Sequence, residues 1–306
     1  MTLGFVSAVV ADLGFEDTID LAADYGFDCV EILCWPPGKA ERRYAGVTHI
    51  DVTDLTDEHC KKIQDYLKKK GVYISGLGYY PNYLDADREQ GKFFVDHFKK
   101  VIAAAAKLGI PVANTFIGRD PAKNIEDNFD LFRKVWPGIV SFAEDKKVKI
   151  GIENCPMFFT RDEWPGGKNL AISPAVWRRM FEEIPSKNFG LNYDPSHMVW
   201  QHMDHIKPIY EFANRIFHVH IKDVKIMKDK LDDVGIMATP LEYHAPKLPG
   251  LGDVEWGKFF SALTDIRYQG AACIEVEDRA YEDSLDARKG SLLQSRNFVH
   301  QFLPRV

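Results

Sequence analysis

The sequence predicts an α/β protein of the (β/α)8 TIM-barrel class, folded as a single domain over residues 1–306. Three observations predict it. Eight short apolar runs alternate with longer amphipathic ones. Several amphipathic runs end in a glycine directly ahead of the next apolar run, as in "DYGFDCVEI", "KKGVYISG" and "KLGIPVANTF", which fits a helix C-cap feeding a buried parallel strand. The chain length of 306 residues suits eight strand-then-helix units. An open doubly wound sheet alternates in the same way, but no GxGxxG follows the first apolar run, so a dinucleotide fold gains nothing.

Strands are expected at 3–10, 29–35, 72–80, 111–118, 148–155, 189–194, 216–223 and 271–278, where β-branched and aromatic residues cluster between turn signals. Helices are expected between and after them, at 16–26, 56–70, 89–108, 125–146, 173–184, 203–213, 255–267 and 283–302. "LTDEH" and "SPAVW" place Thr56 and Ser173 at N-caps, the second with Pro174 in the first helical position. Two connections, 156–172 and 224–254, are too long for plain loops. Both follow strands that end in polar residues, so both are expected at the C-terminal face of the barrel. There they serve as a lid or substrate collar, or as decoration without chemistry.

A hydrophobic content of 45% and a charged content of 27% are ordinary for a soluble globular protein. The net charge of −6 disfavours a nucleic-acid partner, which needs a basic surface. Five cysteines, with no CxxC, lie mostly in apolar runs, so free thiols and a reducing, cytoplasmic setting are expected. The N-terminal stretch lacks a basic segment and reads as a first strand, and no apolar run is long enough to span a membrane.

The fifth to eighth strands each end in a group that can bind a metal or move a proton: Glu153, Asp194, His220 and Glu275. In a barrel those ends converge on the mouth. Three carboxylates gathered there repel one another, and a divalent cation removes most of that cost. The oxygen-rich set with one imidazole favours Mn2+, with Mg2+, Co2+ or Zn2+ admissible. The competing reading is a solvated rim where each acid pairs with a local Lys or Arg. His218 shares a strand face with His220 one layer deeper, and either supports it or is a satisfied core histidine. His197 is open between metal ligand and substrate contact. Lys222 and Asp223, at the strand exit, either meet a substrate oxygen or form a surface ion pair. Trp35, Tyr79, Tyr80 and Trp200 lie at or just past strand ends, where an aromatic face packs on a sugar ring or simply on the barrel rim. Asn192 shares a face with Asp194.

With "IGIEN", "NYDPSH", "HVHIKD", "PGLGDVEW" and "CIEVED" in place, the chain resembles the xylose-isomerase-like TIM-barrel superfamily, in its sugar phosphate isomerase/epimerase branch of ketose 3-epimerases and inosose dehydratases. The resemblance implies a metal held by Glu153, Asp194, His220 and Glu275. It implies an isomerase or epimerase of carbohydrate metabolism that abstracts a proton next to a metal-bound carbonyl or hydroxyl, through an enediolate, with Glu153 and Glu275 as acid and base. His197 matches a substrate-contacting histidine; Lys222, Trp200, Trp35, Tyr79 and Asn192 complete the expected substrate contacts. Where ketose 3-epimerases carry an arginine after the metal-binding histidine, this chain reads "KDVKIMK". Two other activities compete: a lyase that cleaves 3-oxo-glycosides or C-glycosides by β-elimination, and, remotely, an endonuclease IV-like repair enzyme. The latter needs extra histidines at the early strand ends, which here read "LCW", "GYYP" and "FIGRD". The expected partner is a sugar or glycoside, with a homo-oligomer left open and no nucleic acid or membrane.

Overall fold

The computed structural model describes residues 1–38, 45–158 and 160–303. Eight parallel strands close into a barrel: β1 (Thr2–Val6), β2 (Cys29–Leu33), β3 (Tyr73–Gly78), β4 (Val112–Thr115), β5 (Lys149–Glu153), β6 (Phe189–Tyr193), β7 (Ile216–Ile221) and β10 (Ala271–Ile274). Two more strands, β8 (Asp223–Ile226) and β9 (His244–Lys247), form an antiparallel hairpin of their own. Each barrel strand is shorter than the apolar run that predicts it, because pairing stops where the backbone turns outward. After β1, for example, Ser7–Val10 becomes a 3-10 turn.

The helices are α1 (Phe15–Asp24), α2 (Asp57–Lys70), α3 (Arg88–Leu108), α4 (Ile125–Asp145), α5 (Pro174–Glu183), α6 (Ser196–Val199), α7 (Lys207–Glu211), α8 (Lys228–Val234), α9 (Trp256–Asp265) and α10 (Leu285–Val299). Helix α2 starts on Thr56, whose hydroxyl accepts from the His59 N–H at 3.2 Å, and stops at Gly71, whose φ of +69° glycine adopts without steric cost. Ser173 does precede α5, with Pro174 next, but its side chain makes no capping hydrogen bond. One long helix at 203–213 is not formed. Asp204 Oδ1 accepts from the Ile206 and Lys207 N–H groups and Pro208 sits in the first turn, so the helix starts only at Lys207.

The main core lies between barrel and helices, where Trp136 stacks near Phe132 and Phe189 with centroids 6.3 and 5.6 Å away. Burying each such aromatic contributes about 2–3 kcal/mol. Inside the barrel, a Cβ on Gly151 would lie 2.4 Å from Asn114 Oδ1, so glycine there admits the Asn114 amide to the interior.

The 224–254 connection carries structure of its own: the β8–β9 hairpin and α8. Its two ends are held by Asp223. That buried carboxylate accepts from the N–H groups of Val224 (2.8 Å), Gly250 (2.9 Å), Gly252 (3.2 Å) and Val254 (3.0 Å), and from Trp256 Nε1 (2.8 Å). Asp223 therefore forms no surface ion pair; it closes the base of the excursion. The cysteines are all free, and no helix of the described residues is long and apolar enough to cross a membrane.

Candidate metal centre

Glu153 closes β5, Asp194 follows β6, His220 lies in β7 and Glu275 follows β10. The β6–β7 register sets Asn192 beside His218, which brings Asp194 level with His220. Asn154 fixes that level. Its Nδ2 donates to the Asp194 carbonyl at 2.9 Å and its Oδ1 accepts from the Asp194 N–H at 2.8 Å. The Glu275 N–H is tied to the Ile221 carbonyl at 3.1 Å, one residue past the ladder. As a result one donor atom from each of Glu153, Asp194, His220 and Glu275 lies within 4.8 Å of the others.

His220 Nδ1 is a buried polar atom with no hydrogen-bond partner, and Asp194 Oδ2, buried as well, is met by the Lys222 ammonium at 3.1 Å. Asp194 Oδ1 is already used by the Ser196 N–H at 2.8 Å. His220 Nε2 lies 2.7 Å from Glu31 Oε2. A carboxylate only accepts, so that nitrogen carries a proton, while the surrounding acids hold the imidazole well above its ordinary pKa, so Nδ1 is protonated too and a bound cation would displace that second proton. A metal-ligating histidine is held in the same manner by a carboxylate on its other nitrogen. The residues present fit a divalent cation.

Lys222 Nζ fills the gap between the acids, 2.7 Å from Glu275 Oε2, 3.1 Å from Asp194 Oδ2 and 3.1 Å from Glu277 Oε2. Burial works against its ammonium, but Asp194, Glu275 and Glu277 outweigh that and hold its pKa well above the usual lysine value. Burial likewise pushes the Glu275 carboxyl up, and Lys222 and His220 overcome it and hold it low. For Glu153, burial and the Glu275 charge both raise the pKa, and His220 and His197 outweigh them. Both glutamates are therefore ionised near neutral pH.

Of the expected substrate contacts, His197, Trp200, Trp35 and Lys222 line one cavity of about 710 Å³ with Glu153 and Glu275. The Trp200 indole donates to His197 Nδ1 at 3.2 Å, so the His197 proton sits on Nε2. That nitrogen lies 3.3 Å from Asp194 Oδ2 and 3.5 Å from Glu153 Oε1, so His197 offers an N–H to the carboxylates rather than a lone pair to a metal. Residues of both long connections, among them Met157, Phe158, Met227 and His244, complete the wall.

Two expectations need correction. Tyr79 points outward into the core against Trp35, Phe94 and His97 and does not line the cavity, whereas Tyr80 does. Side chains alternate along the chain at a strand end, so one residue decides the face. Asn192 lies beneath the site. Its Oδ1 accepts from His218 Nδ1 at 3.0 Å and its Nδ2 donates to the Tyr80 hydroxyl at 3.2 Å, so it ties the inner histidine to that tyrosine and touches no cavity space. His218, also hydrogen-bonded to Ser75 Oγ at 3.1 Å, is the satisfied inner histidine.

Glu31 escaped the sequence reading. It is fully buried, receives the Tyr80 hydroxyl and holds His220. Burial raises its pKa, and His220 overcomes this and keeps it ionised. Its only local signal is one charge inside the apolar run "CVEIL". Asn154 and Asn169 were missed too; Asn169 Nδ2 donates to the carbonyls of Glu153 (2.9 Å) and Cys155 (2.7 Å).

The family model described as "Xylose isomerase-like TIM barrel" matches residues 19–298. The chain is 28% identical to the uncharacterized protein YfiH of Bacillus subtilis, over 91% of this chain and 93% of that one. It is 30% identical to an inosose dehydratase of Geobacillus thermodenitrificans over 36% of this chain and 40% of the relative. Among solved structures, it superposes on a D-psicose 3-epimerase with a TM-score of 0.72 at 16% identity, covering 99% of both chains. It also superposes on the IOLI protein with a binding zinc atom, with a TM-score of 0.73 at 16% identity and full coverage of both chains. At those identities the two structures speak for the fold alone.

Proposed function

The chain belongs to the xylose isomerase-like TIM-barrel family, and on that footing we propose that it is a divalent-metal-dependent sugar isomerase or epimerase. The observation that carries this reading is the convergence of Glu153, Asp194, His220 and Glu275 donors within 4.8 Å, with His220 Nδ1 buried and without a hydrogen-bond partner. These four residues would hold the metal. The neighbours named for a 3-epimerase and for a zinc-containing protein of the same fold agree with it. Mn2+ suits the oxygen-rich set best, and zinc remains admissible.

When bound, the ion supplies stabilisation of negative charge developing on the substrate oxygens. The rest belongs to the chain. Glu153 and Glu275 face one cavity; one removes the proton from the carbon next to the carbonyl, and the other returns it. Return from the opposite side of the same carbon gives the epimer, and return to the adjacent carbon gives the isomer. The Lys222 ammonium and the His197 Nε2–H sit where substrate hydroxyls enter and donate to them. Each proton-transfer group contributes about 10²–10⁴-fold.

The similarity to inosose dehydratase favours one second reading, a lyase. The same proton abstraction then expels a substituent from the next carbon. A panel of ketoses, cyclitol ketones and keto-glycosides, incubated with metal-loaded protein in deuterated water and followed by NMR, tests both. Exchange at the carbon beside the carbonyl with the substituent kept identifies the isomerase; loss of the substituent identifies the lyase. Glu153→Gln and Glu275→Gln should each abolish turnover with an unchanged circular dichroism spectrum. Near wild-type turnover in either variant overturns the assignment.

A further inference from the structure

Lys222 directly follows β7, two residues after His220 and on the same face of the chain. Its buried ammonium meets three carboxylates: Glu275 Oε2 at 2.7 Å, Asp194 Oδ2 at 3.1 Å and Glu277 Oε2 at 3.1 Å. Asp194 and Glu275 belong to the candidate ligand set, and Glu277 does not. Lys222, Glu275 and Glu277 all line the cavity. One ammonium thus joins two proposed ligands to an acid outside the set.

An ammonium and a divalent ion compete for the same oxygens. Held together on the same two acids, the two cations repel each other, and burial strengthens that repulsion. Glu277 relieves it. The ammonium already touches that acid, so it can release the other two without losing every partner. We propose that Lys222 is an exchangeable counter-cation: when a metal ion binds, its ammonium gives up Asp194 and Glu275 and stays with Glu277 in the cavity. The proposal rests on the metal-dependent reading above and gives it an order. The ion comes first, and its arrival frees the ammonium that a substrate oxygen then meets. A fixed brace acts in the opposite sense, because removing it loosens the two acids and weakens the ion.

Titration with Mn2+ alone, read by electron paramagnetic resonance at one pH and ionic strength, tests the exchange in four proteins: wild type, Lys222→Met, Glu277→Gln and the double variant. Lys222→Met keeps the apolar stem and removes the charge. Its Kd for Mn2+ should fall at least about tenfold, a difference worth about 1.4 kcal/mol. Glu277→Gln should raise the Kd, because the ammonium loses the partner it retreats to. In the double variant that second effect should vanish, since it runs through Lys222. Thermal unfolding gives a further readout. Lys222→Met should lower Tm in EDTA, and saturating Mn2+ should raise Tm by more in this variant than in wild type. If Lys222→Met fails to fold by circular dichroism, Lys222→Gln carries the same comparison. A Kd within twofold of wild type, or a weaker one, overturns the exchange and leaves the metal reading standing. A Glu277→Gln effect that persists in the double variant overturns Glu277 as the retreat. Absence of Mn2+ uptake by wild type and Lys222→Met alike overturns the metal reading itself, and uptake by Lys222→Met alone supports the exchange.

Discussion

Glu31 Oε2 lies 2.7 Å from His220 Nε2, across the barrel from β2 to β7. This contact fixes the His220 proton and turns Nδ1 toward the three acids. Glu31→Gln replaces the carboxylate with a weaker, neutral acceptor. Manganese affinity, read by electron paramagnetic resonance titration, should fall about 10–100-fold. Glu31→Asp should recover less than the full affinity, because the shorter side chain cannot reach His220 at the same distance.

Asn154 holds the Asp194 backbone by two hydrogen bonds, at 2.9 and 2.8 Å. Asn154→Ala removes both and leaves a buried N–H and carbonyl without partners. Urea denaturation should record a loss of about 1–3 kcal/mol. The metal titration should weaken in parallel, since Asp194 Oδ2 loses its fixed position.

His49 is buried, and burial pushes its imidazole down to about 4. The folded protein keeps the ring neutral where the unfolded chain, with an ordinary pKa of about 6.5, binds a proton. Stability from this group is complete above pH 6.5 and is lost as the pH falls toward 4. The slope approaches one proton, about 1.4 kcal/mol per pH unit. Urea midpoints for wild type and His49→Leu between pH 7 and 5 check it. The variant should show the shallower fall on the acid side.

Asp223 gathers four backbone N–H groups and the Trp256 indole, although burial raises its pKa. Asp223→Ala strands five donors and should cost at least about 3 kcal/mol in chemical denaturation. Asp223→Asn keeps part of the set and should fall between.

Much of the site was legible in the sequence because each of its four proposed ligands interrupts or ends an apolar strand-like run, and strand ends in a barrel share one location. The alternation of side chains also set His218 beneath His220. What stayed hidden depends on partners distant in the chain. Glu31 matters only because β2 faces β7 across the barrel, and no local pattern encodes that. Tyr79 was preferred to its neighbour Tyr80 because two adjacent aromatics look alike until the exit of β3 is known. The helix expected at 203–213 failed for a local reason, the Asp204 turn and Pro208, which outweighed the apolar spacing.

Because a single carboxylate clamps both ends of the 224–254 excursion, that stretch enters and leaves the barrel at one point. Between its ends it leans on the rim, with His244 stacked on Trp200 and Lys247 paired with Asp278. Substitutions at those two contacts would reshape the mouth, while the Glu153–Glu275 arrangement, held by other elements, keeps its place.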